Sequence, residues 1–228
     1  MTNDTVAAAL VRLLTERHET VATAESLTGG LLAATIVDVP GASVVLRGGL
    51  VVYATDLKAT LAGVRRDLLD ARGPVDPDVA IALAAGARRR CAATWGVSTT
   101  GVAGPTPQDG IPVGTVYVAV SGPPTAGPAP SSAAAGSSSL AGAGPPPEAG
   151  GGTSSAAGYS ESSRESDRSV DEVRALRLDG DRRAIRRAAV AAALAMLMAR
   201  IEADLGSDAR SNAGGAAAAG TDIGTGDQ

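Results

Sequence analysis

The sequence predicts an α/β domain, a three-layer α/β/α sandwich around a mixed, largely parallel sheet. Short β-prone segments alternate with apolar-periodic helical ones as far as Ser121. A further strand–helix pair resumes after residue 169. Alternation of this kind places helices on both faces of one sheet. The 228 residues suit one such domain with a remainder.

The elements follow in order. "VAAALVRLLTERH" (6–18) carries apolar residues at helical intervals and reads as a first helix. "TVATA" (20–24) is short and β-prone. "TGGLLAATIVDV" (28–39) is apolar nearly all round, as a buried helix is, and Pro40-Gly41 stops it. "LVVYA" (50–54) reads as a second strand, and "TDLKATLAGV" (55–64) as a short helix that Thr55 or Asp56 would cap. Asp76-Pro77 marks the start of the next helix. "WGVSTTG" and "VGTVYVAV" read as core strands, and "VDEVRALRLDGDRRAIRRAAV…" as a strand leading into a long helix. Between them, residues 122–169 are rich in Gly, Pro, Ser and Ala and poor in bulky apolar side chains. Such a stretch buries too little surface to offset its ordering entropy, so it is expected to be a disordered insertion in a single domain of residues 1–205. Residues 206–228 are expected to form a flexible tail.

Composition excludes several classes of function. The formal charge is −4, and with no Phe, one Trp and three Tyr the stacking platforms for nucleic acid are scarce and no basic stripe accompanies them. One Cys and one His leave no ligand set for a transition metal, and no cofactor is expected. A lone Cys91 fits a reducing compartment. No apolar run approaches the roughly 18 residues of a membrane span, and the N-terminus does not resemble a signal peptide. The expectation is a cytoplasmic protein with neither nucleic-acid nor membrane partners.

The candidate chemistry centres on "VATAESLTGG" (21–30). Ser26 follows a strand and precedes Thr28-Gly29-Gly30 at a helix start, where free N–H groups bind a phosphate or an oxyanion. Ser26 or Thr28 acting merely as a helix cap is the plain alternative, and the stretch alone leaves both open. His18, in "TERHE", lies among charges and reads as a surface residue. A serine without histidine needs another base, and a lysine serves once burial lowers its pKa. Lys58 is the single lysine of the chain, one turn into the helix after Tyr53. "TTGVAGPTPQDGIPVG" (99–114), including Thr100 and Gly101, suits a substrate loop or a plain turn. In "GDRRAIRRAA", with Ile185, Ala189, Ala192 and Met196 taken as the buried stripe, Arg182 and Arg186 fall on one edge, and Arg183 and Arg187 face solvent. The edge pair suits a ligand phosphate or carboxylate, or else salt bridges to Asp179, Asp181 or Glu172.

"TAESLTGG", "GGLVVYATDLKATLAGV", "TTGVAGP", "PVGTVYVAV" and "GDRRAIRR" together resemble the CinA C-terminal-domain family, in order and approximate spacing, over about residues 5–121 and 170–205. The resemblance implies an α/β/α sandwich and a nicotinamide-nucleotide amidase, which converts nicotinamide mononucleotide to nicotinic acid mononucleotide and ammonia in pyridine nucleotide recycling. It implies a Ser/Lys mechanism with Ser26 as nucleophile, Lys58 as base and Tyr53 as assistant. Substrate binding would fall to Thr28, Gly29, Gly30, Thr100, Gly101 and an arginine, Arg182 or Arg186. The partner would be a small-molecule nucleotide, and a homo-oligomer is the expected assembly. A non-catalytic nucleotide-binding module, or an amidase for another phosphorylated amide, would keep the same motifs. Leu27 stands where family members often have Cys, and the insertion replaces a normally short hairpin. Many relatives also carry an N-terminal domain with pyrophosphatase chemistry, which these residues do not include.

Overall fold

The computed structural model describes residues 2–123 and 170–217. Helix α1 (Asn3–Glu16) leads to β1 (Val21–Glu25), α2 (Leu31–Val37) and β2 (Leu46–Val51). Then come α3 (Thr55–Thr60), α4 (Arg66–Arg72), α5 (Pro77–Arg90), β3 (Trp95–Gly101), β4 (Thr115–Gly122), β5 (Val170–Arg177) and α6 (Arg182–Ala217). The strands form one sheet in the order β2-β1-β3-β4-β5. β1 pairs in parallel with β2 and β3, whereas β4 joins β3, and β5 joins β4, antiparallel. The sheet is mixed, as expected.

Two layers of helices enclose it. On one face α1, α2 and α6 bury Leu10, Leu14, Leu32, Ile36, Ile185, Leu194 and Leu197 against β-strand residues such as Val97 and Val118. Burial of each such side chain contributes about 1.5–3 kcal/mol. On the other face α5 lays Val79, Leu83 and Ala87 on Ala22 and Ala24 of β1. The α5 start matches expectation: Asp76 is its N-cap and accepts from the Asp78 N–H, with Pro77 at the first position.

Several sequence-based boundaries move. β2 occupies Leu46–Val51 rather than 50–54 and runs through Gly48-Gly49, a pair of low β-propensity. A Cβ on Gly49 would lie 2.6 Å from Thr23 Oγ1 and 3.2 Å from the Ala33 Cβ, so packing of α2 onto the sheet overrides local preference there. Ala54, without a side-chain bond, begins α3, so neither Thr55 nor Asp56 caps it. α4 has no counterpart among the expected elements. In α6 the buried stripe is wider than expected, taking in Val190, Ala193, Leu194, Leu197 and Ile201, while Ala192 is only half-buried. The helix runs past residue 205 to Ala217, into the stretch expected to be a tail. Extending a formed helix costs far less than starting one. The expected insertion begins at the end of the β4–β5 hairpin, where Gly122 pairs with Val170. Its residues 124–169, like 218–228, lie outside the described residues.

Candidate active site

The parallel strands β1, β2 and β3 end on one side of the sheet, and the segments that follow β1 and β2 bring Ser26, Tyr53 and Lys58 there. Open α/β sheets bind ligands at this carboxyl edge. A cleft of about 290 Å³ opens at that edge, lined by Ser26, Tyr53, Lys58, Gly101, Gln108 and Arg182 among others. Its size falls near the lower end of the roughly 300–1,000 Å³ typical of small-molecule sites.

Lys58 is fully buried, at 1% exposure. Its Nζ lies 3.2 Å from Ser26 Oγ, 2.8 Å from the Val52 carbonyl and 3.4 Å from the Tyr53 carbonyl. No carboxylate accompanies it among these partners. Burial lowers its pKa from 10.5 to about 8. A neutral amine has two N–H donors and one lone pair. The charged amine donates to all three; once it is neutral, the two carbonyls keep its N–H donors and the lone pair faces the Ser26 hydroxyl. This is the arrangement a lysine base requires.

Ser26 occupies the turn between β1 and α2. Its N–H donates to the Thr99 carbonyl (2.9 Å), and its own carbonyl accepts from Gly29 N–H (3.1 Å). Gly29 and Gly30 follow at φ +58° and +93°. Two consecutive left-handed residues bring the chain into α2, and glycine adopts that conformation without a Cβ clash. The start of α2 is not free for a ligand. The Glu25 carboxylate, 1% exposed, accepts from the N–H groups of Gly30 (3.0 Å), Leu32 (2.9 Å) and Ala33 (2.8 Å) and from the Thr23 hydroxyl (3.2 Å).

The expected substrate residues therefore divide. Gly101 and Arg182 line the cleft. Gly29 and Gly30 do not present free amides, because Ser26 and Glu25 take them. The Thr28 hydroxyl is buried against Thr99 Oγ1 (2.7 Å), and that of Thr100 donates to the Pro74 carbonyl (2.7 Å). Both bonds hold the cleft wall instead of facing into it. Neither Ser26 nor Thr28 caps α2 by its side chain, whose N-cap is Gly30. His18 is exposed in the turn after α1, at the other end of the sheet.

The two arginines also separate. Arg186 is half-buried and donates through Nε to the Leu27 carbonyl (3.0 Å) and through Nη2 to that of Thr28 (2.5 Å). Arg182 is exposed at the cleft mouth, where it donates to the Gly104 carbonyl (2.8 Å) and to the Tyr53 hydroxyl (2.9 Å). Neither arginine forms the salt bridges to Asp179, Asp181 or Glu172 that were the alternative to a ligand anion; Asp181 instead accepts from the Ala184 N–H at the start of α6. The Arg186 clamp fixes the Leu27–Thr28 and Thr28–Gly29 peptide planes, and the Gly29 N–H holds that of Ser26–Leu27. With the Ser26 and Leu27 carbonyls engaged, the N–H groups of Leu27 and Thr28 point the opposite way across their trans peptides. Among the described residues these two amides have no protein acceptor.

The sequence profile of the CinA C-terminal domain matches residues 3–129. The chain belongs to the CinA C-terminal domain family. A CinA-like protein of Frankia casuarinae is 51% identical over 121 residues, which are 53% of this chain and 28% of that protein. A putative competence-damage inducible protein of a Geobacillus species is 47% identical over 113 residues, 50% of this chain and 27% of that one. The chain thus aligns with little more than a quarter of these relatives' length. Among solved structures, the competence/damage inducible protein CihA of Agrobacterium tumefaciens superposes with a TM-score of 0.63 at 27% identity, covering 86% of this chain and 94% of that one. A CinA superfamily protein of Escherichia coli gives 0.64 at 23% identity over 86% and 89%, a likeness of fold. This CinA domain thus keeps the family fold around the cleft that holds Ser26 and Lys58.

Sequence reasoning missed Glu25 and the free amide of Leu27; it placed oxyanion donors near Thr28–Gly30, of which the Thr28 amide is free, and it took in Gln108 only as part of the 99–114 loop. Glu25 had one legible signal, a carboxylate at the end of a buried strand ahead of a Gly-Gly helix start that lacks a capping side chain.

Proposed function

We propose that this cleft hydrolyses the carboxamide of nicotinamide mononucleotide to nicotinic acid mononucleotide and ammonia. The observation that carries the reading is the Lys58 environment: an amine buried beside a serine hydroxyl, with carbonyls on its other sides. With a pKa of about 8, about a tenth of it is neutral at pH 7.

Neutral Lys58 accepts the Ser26 proton as Oγ attacks the amide carbon. The Leu27 and Thr28 N–H groups donate to the developing oxyanion, the role for which pre-oriented amides serve best. The C–N bond then breaks, Lys58 returns its proton to the departing nitrogen, and ammonia leaves an acyl ester on Ser26. Water attacks that ester, Lys58 takes its proton, and Ser26 leaves protonated as the acid is released. Arg182, with further guanidinium donors beyond the two engaged, receives the 5′-phosphate. This binding is remote from the amide and contributes to positioning it. Tyr53 assists from both ends, its carbonyl accepting from Lys58 and its hydroxyl steadying Arg182.

Ammonia release from nicotinamide mononucleotide by the purified chain, beside its Ser26→Ala variant, tests the reading. Release by the wild type alone is expected. Equal release by both, or none from folded wild type, overturns it. A closed homo-oligomer belongs to the same proposal, and light scattering of the purified chain checks it.

A further inference from the structure

We infer that Glu25 is a positioning residue for Ser26, its buried carboxylate closing the loop that carries the nucleophile; this rests on the reading of Ser26 as nucleophile. Glu25 is the last residue of β1, and its carbonyl accepts from the Val52 N–H (2.9 Å), which fixes its backbone beside the strand leading to Lys58. Its side chain reaches forward over Ser26–Gly29 and takes three amides of the α2 start. One residue thereby ties both ends of the turn, residue 25 on one side and residues 30–33 on the other.

The consequence for chemistry is geometric. Ser26 Oγ lies 3.2 Å from Lys58 Nζ because the Ser26 backbone is held from the Thr99 side and the turn cannot slide along α2. Without the clamp, α2 would begin on unsatisfied donors, and the chain between Ser26 and Gly30 would lose its fixed register. Glu25 has four donors to its two oxygens, so it is neither a base nor a ligand for substrate. The anion-binding capacity of this helix start is used internally, which leaves substrate charge to Arg182.

Glu25→Gln tests the inference, because the amide keeps the volume but turns an NH₂ group toward backbone donors. The readout is the rate at which a fluorophosphonate probe labels Ser26 in the full chain, with folding followed by circular dichroism. In wild type the labelling rate should rise with pH through about 8, the Lys58 value. Glu25→Gln should label about ten- to a hundred-fold more slowly, as a misplacement on the order of 1 Å would produce, with the inflection unmoved. Thr23→Val removes one of the four donors and, should Glu25→Gln not fold, gives a smaller drop of the same kind. A folded Glu25→Gln that labels at the wild-type rate, or a Thr23→Val variant that does so when Glu25→Gln is unfolded, reduces the clamp to a purely structural role and overturns the inference. Wild type that labels at Ser26 but releases no ammonia from nicotinamide mononucleotide removes the substrate reading and leaves the clamp standing. Absence of labelling in wild type removes both.

Discussion

At the end of the sheet where β1 and β3 begin, Arg17 donates to Glu19 (2.7 Å) and to Asp204 (3.1 Å), and Trp95 Nε1 donates to the second Glu19 oxygen (2.7 Å). The Arg200 guanidinium lies over the Trp95 ring, 5.8 Å from its centroid. At the end where the same strands stop, Lys58 is buried with only carbonyls and a hydroxyl for company. Both ends remove a cation from water. At the first, opposite charges answer it, and the cluster fastens α1, the sheet and α6 together. At the second, no charge among the described residues answers it, and the protein offsets burial by making proton loss easier. Lys58 is the more deeply buried, but the difference between anchor and reagent lies above all in the partners.

The largest effect should come from changing the reagent. Lys58→Arg keeps the charge but cannot give up its proton, and Ser26→Ala removes the nucleophile. Each should lower kcat for ammonia release by at least about a thousand-fold. A Lys58→Arg enzyme within tenfold of wild type would break the contrast at its centre. The same property governs pH. In the native state Lys58 loses its proton near pH 8, whereas in the unfolded chain it keeps it up to 10.5. Below pH 8 both states are protonated and the burial penalty is constant. Between those values the unfolded chain binds more protons, so native stability should rise with pH, by up to roughly 3 kcal/mol. Urea unfolding of wild type against Lys58→Met, from pH 7 to 10.5, isolates this slope. kcat/KM should climb with a slope of one below pH 8 and level off above it.

At the anchored end the pattern should invert. Glu19→Ala leaves Arg17 with one carboxylate fewer and the Trp95 N–H without its acceptor. It should cost about 2–3 kcal/mol of stability in urea unfolding. Its kcat/KM at 25 °C should match that of wild type, since the cluster lies at the other end of the strands. A selective loss of kcat in folded Glu19→Ala would mean that the two ends are coupled through β1.

The sequence made the two ends unequally legible. Residue chemistry made Lys58, the single lysine, the one candidate base but left Ser26 open between nucleophile and helix cap, and it was the resemblance of several motifs that chose the Ser/Lys pair. The α5 start was plain from Asp76-Pro77, a local signal. What escaped depends on neighbours distant in sequence. Gly48-Gly49 enters β2 because Thr23 and Ala33 lean on it. Glu25 caps a helix from seven and eight positions away, in Leu32 and Ala33, outside any local capping pattern. The Trp95–Glu19–Arg17–Asp204 cluster joins three separate segments, and no periodicity announces it. Of Gly29, Gly30, Thr28 and Thr100, the residue types suggested ligand contact, but the Gly29 and Gly30 amides and the two threonine hydroxyls are spent inside the protein.

The finest distinction falls within the reactive end, between Arg182 and Arg186, which a helical wheel cannot separate. Arg186 donates to the carbonyls of Leu27 and Thr28, and so acts on substrate only through the loop it holds. Arg182 stands at the mouth with donors to spare. Arg182→Ala should therefore raise KM about tenfold with kcat nearly kept, the mark of a binding contact equal in ground and transition states. Arg186→Ala should lower kcat by a similar factor with KM nearly kept, because the Thr28 amide, opposite the Leu27 carbonyl that Arg186 holds, loses its aim at the oxyanion. Steady-state kinetics of the two variants decide it. If their effects are exchanged, the phosphate is held by α6 one turn deeper, and the loop after Ser26 needs no clamp from that helix.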